Sequence, residues 1–236
     1  MQDYDIAALA LPQAQTATDQ VSDALYNAVV SLQLPPGTKV SEAEIAKQLN
    51  VSRQPVRDAF FRLSKLGFLS IRPQRATLIS KISERAVLDA AFVRTALEVE
   101  CIRLVATRHT EQDMADLRAA LDRQVAALDN PDRRAFHIQD EAFHQILCRI
   151  AGHVHVWELI LEHKAHMDRA RFLTLSVSHR RRVLGEHLAL MEALEARDPE
   201  AAEREMRAHL GNIRVVLPGL RAENAAYFEE EDTLPA

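Results

Sequence analysis

Glycine, cysteine and aromatic residues are all scarce in this sequence, and each shortage narrows what the chain can be. Six glycines in 236 residues leave few positions for tight turns. β-Branched alternation is equally rare, so a strand-dominated fold is excluded. The two cysteines, Cys101 and Cys148, stand far apart inside helical patterns. They are expected to be reduced core thiols rather than a disulfide. No apolar run approaches the ~20 residues that a membrane span needs. The opening Met1-Gln2-Asp3-Tyr4-Asp5 lacks the basic-then-apolar order of a secretory leader. These absences predict a mostly helical, cytoplasmic protein with no membrane segment. What is present, 47% hydrophobic and 27% charged residues, is a soluble globular balance rather than a disordered one. The length allows one large domain or two ordinary ones.

Positive charge is also missing from the opening stretch, where residues 1–35 carry four Asp and no Lys or Arg. Between Pro36 and Lys81 the balance reverses, with nine Lys and Arg against Glu42, Glu44 and Asp58. A basic block inside a chain of net charge −5 suits a localised polyanion-binding face. Charge alone suits an ordinary solvated surface equally well.

Residues 1–15 lack periodicity and read as a flexible arm. From Thr18, Val21, Leu25, Val29 and Leu32 recur at helical spacing up to Pro35-Pro36-Gly37. Ser41 with Glu44 reads as a capping box opening a second helix. Ser52 caps a third, which Gly67 stops near Leu66. Residues 68–72 and 77–80 read as two short strands around the tip Pro73-Gln74-Arg75-Ala76. Helix, helix, turn, helix and hairpin is the order of a winged helix-turn-helix, placed at 16–81. Beyond it only helices are expected, over 83–108, 111–128, 131–151, 154–175, 179–197 and 199–217. They form a second domain at 82–217, followed by a loose acidic tail at 218–236.

The stretch Val51-Ser52-Arg53-Gln54-Pro55-Val56-Arg57 opens the third helix, where a recognition helix presents side chains to the major groove. Ser52 and the free amides of the first turn can meet a phosphate. Arg53 and Arg57, four residues apart, share a face and can fork onto guanine. Arg72 and Arg75 flank the wing tip within reach of phosphate or minor groove. The run Leu34-Pro35-Pro36-Gly37-Thr38-Lys39-Val40-Ser41-Glu42, then Val51 to Ala59 and Leu63…Leu66-Gly67, resembles the DNA-binding domain of the GntR family. That resemblance implies that Arg53 and Arg57 read bases and that Gln54 tunes the operator. Two positions depart from the family pattern. Ala43 stands where some members carry a third base-reading Arg, and Gln74 or Ala76 stands where the wing usually has Gly.

In the helical part, four polar residues fall on stripes that should be apolar. Asp140 and His144 share a face with Phe136, Phe143 and Leu147, His187 lies among Val183, Leu184, Met191 and Leu194, and His209 follows Met206. Burying such groups is costly without partners. Each His alone fits a hydrogen-bonded core residue, whereas the set fits a metal, Zn²⁺ first, with Ni²⁺ or Mn²⁺ as alternatives. Arg94 lies on the inward face of its helix, where an ion pair with Glu98 is the plain reading. The pattern Asp140-Glu141-Ala142-Phe143-His144, Glu186-His187 and His209 resembles the C-terminal FCD domain of the FadR subfamily. Six helices suggest its VanR-like branch. The resemblance implies that Asp140, His144, His187 and His209 are metal ligands and that Arg94 faces an effector.

The expected molecule is therefore mainly α, a winged helix-turn-helix on an FCD-type helical bundle. Its expected function is that of a homodimeric repressor on a palindromic operator, responding to a small organic or sugar acid. The rival readings are a metal-dependent helical-bundle enzyme and a DNA-binding protein without effector. A di-metal site needs two Glu-x-x-His motifs, and only Glu141-Ala142-Phe143-His144 fits. For a mononuclear hydrolase, neither Glu141 nor Glu186 has a convincing inward position as general base.

Overall fold

The computed structural model describes residues 16–71 and 76–230. The head begins with α1 (Ala17–Val30), which Thr16 and Asp19 open as a reciprocal capping box. It continues through β1 (Lys39–Val40), α2 (Glu42–Leu49), α3 (Arg53–Lys65), β2 (Leu69–Ser70) and β3 (Thr77–Ile79). The three strands pair antiparallel in the order β1-β3-β2, with Val40 opposite Thr77 and Leu69 opposite Ile79. Val21, Leu25 and Val29 of α1 bury their face against Val56, Phe60 and Leu63 of α3, and Phe68 and Ile79 close the core.

The bundle comprises α4 (Glu84–Arg108), α5 (Glu111–Ala127), α6 (Arg133–Ile150), α7 (Val154–His163), α8 (Ala165–Thr174), α9 (Val177–Glu195) and α10 (Pro199–Glu223). Their starts are chemically marked. Thr110 and Asp113 form the expected capping box of α5. Asp198 accepts from the first amides of α10, whose Pro199 sits where a missing N–H costs nothing. α4 and α10 are the long central pair, and α5, α6 and α9 pack around them. A core of Val99, Ile102, Leu117, Phe143, Leu190 and Met206 fills the middle.

The structure departs from the sequence expectations in five places. A third strand, β1, pairs with the expected hairpin. Ser41 starts α2 from an extended conformation but makes no side-chain capping bond, so the expected capping box is not formed. α1 ends at Val30, before the prolines, where Leu32 takes a φ of 57°. The expected helix over 154–175 is two helices meeting at Lys164, so the bundle has seven helices among the described residues. The six-helix count that pointed to a VanR-like branch is lost. Finally, residues 218–230 are not a loose tail. α10 runs through Pro218, whose exposed position leaves the unbonded carbonyl to water. A 3₁₀ turn (Ala225–Tyr227) then delivers Phe228 into a buried site. There the amide of Ile82 donates to Tyr227 O at 2.8 Å, and the amide of Glu229 donates to Ile82 O at 3.0 Å. The expected arm at 1–15 lies outside the described residues.

Candidate metal centre and DNA-reading face

Four buried side chains meet inside the bundle: Asp140 and His144 from α6, His187 from α9 and His209 from α10. Their ligand atoms all lie within 4.8 Å of one another. Spacing of i, i+4 stacks the α6 pair on one face, and the packing of α9 and α10 brings in the other two.

Each imidazole is gripped from outside through Nδ1. His144 Nδ1 lies 2.5 Å from Glu98 Oε2 of α4. His187 Nδ1 is 3.0 Å from Gln124 Oε1 of α5. His209 Nδ1 is 2.7 Å from Glu186 Oε2 of α9. The acceptors at Nδ1 of His187 and His209 place the single proton of each neutral ring there and turn its Nε2 lone pair inward, while Glu98 lies against Nδ1 of His144. His209 Nε2 is 3.2 Å from His144 Nε2 and 3.4 Å from His187 Nε2. Burial holds His187 and His209 below the ordinary His range, so their protonated forms are disfavoured. Burial also opposes the charge of Asp140. Even so, the Arg171 guanidinium, donating at 2.7 Å, keeps that carboxyl well below its usual range. Asp140 Oδ1 has no hydrogen-bond partner.

Inward lone pairs beside a bare carboxylate oxygen repel one another unless a cation lies among them. Four ligands at roughly 2.0–2.1 Å around zinc would set neighbouring donors about 3.3 Å apart, close to the Nε2 separations seen here. The residues fit a divalent metal.

Beside this cluster lies a small cavity of about 30 Å³, lined by Arg94, Arg171, Thr174, His179, Glu186 and His209 among others. Arg94 is 1% exposed. Its Nε donates to Glu98 Oε1 at 2.5 Å, so the plain ion pair exists, yet Nη1 and Nη2 have no partner. A buried guanidinium with two free donors at a cavity wall has the chemistry to pair with an anionic group. Glu98 therefore holds a metal-site His with one oxygen and the cavity Arg with the other. Burial opposes its charge, but Arg94 and His144 keep its carboxyl far below the usual range.

On the head, Arg53, Gln54 and Arg57 project from the first turns of α3 and are exposed. Ser52 is the N-cap residue but makes no capping bond. Arg53 and Arg57 both approach Glu42 Oε2, at 3.8 and 3.3 Å, and Gln54 donates to Asp58 at 2.9 Å. The opposite face of α3, with Val56, Ala59, Phe60 and Leu63, is buried. Arg72 and Arg75 lie outside the described residues.

Sequence reasoning missed Gln124 and left Arg171 open between a part in the effector pocket and a solvated face. Gln124 sits on a helix with no motif of its own. Arg171, together with Arg169, His163 and His166, fits a solvated face by spacing alone. Instead Arg171 donates to Asp140 at 2.7 Å, and Arg169 is fully buried. Glu186 shows an inward role that spacing did not reveal.

Comparisons with known proteins agree with this layout. Residues 17–79 match the model of bacterial regulatory proteins of the gntR family, and residues 89–212 match the FCD domain. The chain is 36% identical over 222 residues to the HTH-type transcriptional repressor RspR of Escherichia coli, covering 94% of this chain and 97% of that protein. It is 29% identical over 200 residues to a probable D-xylose utilization operon transcriptional repressor of Paenarthrobacter nicotinovorans, covering 83% of this chain and 86% of that protein. Among solved structures, E. coli McbR/YncC superposes with a TM-score of 0.74 at 22% identity, over 89% of this chain and 99% of that one. This likeness shows the shared fold.

Proposed function

The chain belongs to the GntR family of bacterial regulatory proteins and carries the FCD domain of the FadR subfamily, and we propose that it is a repressor whose hold on its operator is set by a small carboxylate bound beside a metal ion. Its relatives and its fold are those of DNA-binding transcription regulators, not enzymes. The observation that carries the sensor reading is the orientation of the three imidazoles. Nδ1 of His187 and His209 is hydrogen-bonded to an outer acceptor and that of His144 lies against Glu98, while Nε2 of His209 meets Nε2 of His144 and His187 at 3.2 and 3.4 Å beside Asp140.

In this reading Asp140, His144, His187 and His209 hold a divalent ion, zinc first, with nickel or manganese as alternatives. The ion supplies a Lewis-acidic position for one oxygen of an organic or sugar acid. Arg94 offers its two free Nη groups to the carboxylate, and Glu98 keeps Arg94 and His144 in fixed relation. Arg53 and Arg57 read base edges from the start of α3, Gln54 adjusts the preference, and Ser52 meets a phosphate. Arg72 and Arg75 extend the contact along the wing. Two copies joined through their bundles place two heads on the half-sites of a palindrome.

The test pairs two measurements on the full chain. Metal content of the purified protein should be stoichiometric and should vanish on replacing His187 and His209 by Ala, while Arg53→Ala should abolish operator retention with the fold intact. Full metal retention in the His variant, or unchanged operator affinity in Arg53→Ala, overturns the corresponding assignment.

A further inference from the structure

Outside the metal cluster, the most heavily charged part of the interior lies where α6 and α8 meet α1. Lys164 is 2% exposed and sits at the break between α7 and α8. Its ammonium is 2.5 Å from Asp168 Oδ2 and also in contact with Glu141 Oε2. Burial opposes the charge on Glu141, yet Lys164 holds its carboxyl down at about 2. His137, Glu141 and Asp168 have the composition of a second metal site, but the Lys164 ammonium already occupies the cation's place beside two of the three.

This cluster is continuous at both ends. Toward the bundle centre, Glu141 Oε1 is 3.5 Å from Arg171 Nη1, and Arg171 Nη2 donates to Asp140 Oδ2 at 2.7 Å. Toward the head, the Tyr26 hydroxyl of α1 donates to Asp168 Oδ2 at 3.2 Å. Charges therefore alternate from Asp140 through Arg171, Glu141 and Lys164 to Asp168, and end on a head hydroxyl. Arg171 also lines the cavity that holds Arg94.

α8 is mechanically part of the head as well. Ala165 lies in the head's apolar core. The Arg169 guanidinium stands over the Phe68 ring at 5.2 Å and donates to Ser80 O at 2.6 Å.

We infer that the row Asp140–Arg171–Glu141–Lys164–Asp168–Tyr26 is the relay by which occupancy of the metal-and-effector site sets how firmly α8 grips the DNA-binding head. This rests on the metal reading above. The physical reason is that buried charges cannot be left unpaired cheaply. A cation at Asp140, or an anion on Arg171, changes the share of Arg171 left for Glu141. Glu141 then draws harder or less hard on Lys164, and the Lys164–Asp168 contact and the Tyr26 hydrogen bond readjust in turn. A bistable packed contact, not a flexible one, carries the signal.

The test is hydrogen–deuterium exchange on the full chain, chelated and then reloaded with zinc alone, for wild type and for Tyr26→Phe. Phe keeps the ring that meets Phe68 edge-on at 5.3 Å, so the head core survives. In wild type, zinc should slow exchange in α6, α9 and α1, with α1 changing at least about 5-fold, a coupling of ordinary allosteric size. In Tyr26→Phe the slowing in α6 and α9 should persist while that in α1 disappears, and Asp168→Asn should behave alike. An undiminished α1 response in both variants overturns the relay. A wild type protected at α6 and α9 but not at α1 overturns it too, and leaves the metal reading standing. Absence of protection at α6 and α9 in wild type overturns the metal reading itself, and the relay with it.

Discussion

Glu98 shows how one residue can carry two assignments that look separate in sequence. One oxygen accepts from Arg94, the other meets His144. Glu98→Gln keeps the shape but removes the charge, so its amide can satisfy only one of these donors. Zinc affinity should drop by roughly 10–100-fold, the usual cost of losing an outer partner of a ligating His. Competition against a chromogenic chelator measures it. His166 offers a second test, in pH. Its Nδ1 accepts from the Ser83 amide at 3.1 Å and from Arg169 at 2.9 Å, so protonation there breaks both bonds. Burial and the neighbouring Arg169 push its pKa down to about 4. The unfolded chain takes up this proton near pH ~6.5, the folded chain only near 4. Stability is therefore unaffected by this group above ~6.5, falls as pH drops from ~6.5 toward 4, and levels off below. Melting temperature should follow that course, and His166→Gln should flatten it in part. A slope unchanged by the substitution would remove His166 as the cause.

Among the elements, the turn after α3 is the most tightly constrained. Gly67 has a φ of 79°, and a Cβ there would lie 2.8 Å from His166 Nε2 on α8. Gly67→Ala combines left-handed strain with a collision at the head–bundle junction. Equilibrium unfolding should show a loss of about 1–3 kcal/mol, whereas Ala at Gly37, where φ is also positive but no atom lies within 4 Å, should lose less. The sequence marked Gly67 as a helix stop, but its neighbour His166 is 99 positions away and had no sequence signal. The break at Lys164 was invisible for a related reason. The apolar spacing runs unbroken across it, and nothing local marks Lys164, whose ammonium is buried between Glu141 and Asp168.

For the whole molecule, metal occupancy should appear as stability. A ligand that binds only the folded state contributes about 4 kcal/mol at a thousandfold excess over Kd. At roughly 2–4 °C per kcal/mol for a chain of this size, chelation should lower the melting temperature by on the order of 10 °C. Zinc should restore it in wild type and leave the His187, His209 double variant unmoved. Equal melting curves with and without chelator would remove the metal as a structural element.

The metal cluster was legible because polar residues interrupted apolar stripes on three helices, and a stripe has only one inward direction. The recognition helix was legible because Ser52, Arg53, Pro55 and Arg57 crowd one helix start, and local spacing alone fixes their face. Residues whose role depends on a distant helix were not. Gln124, Glu186 and Arg171 look like solvated polar residues until α5, α9 and α8 are set against their partners. Likewise Phe228 stands just before an acidic run, and its burial depends on the backbone bonds that Ile82 offers at the far end of the bundle. Periodicity and capping chemistry are properties of neighbouring residues, so the sequence by itself determined most of the helices, the head and the four polar side chains that turn inward. Which acceptor holds each Nδ1, where α8 parts from α7 and how the charges line up toward Tyr26 depend on contacts between remote segments, and only the tertiary structure decided them.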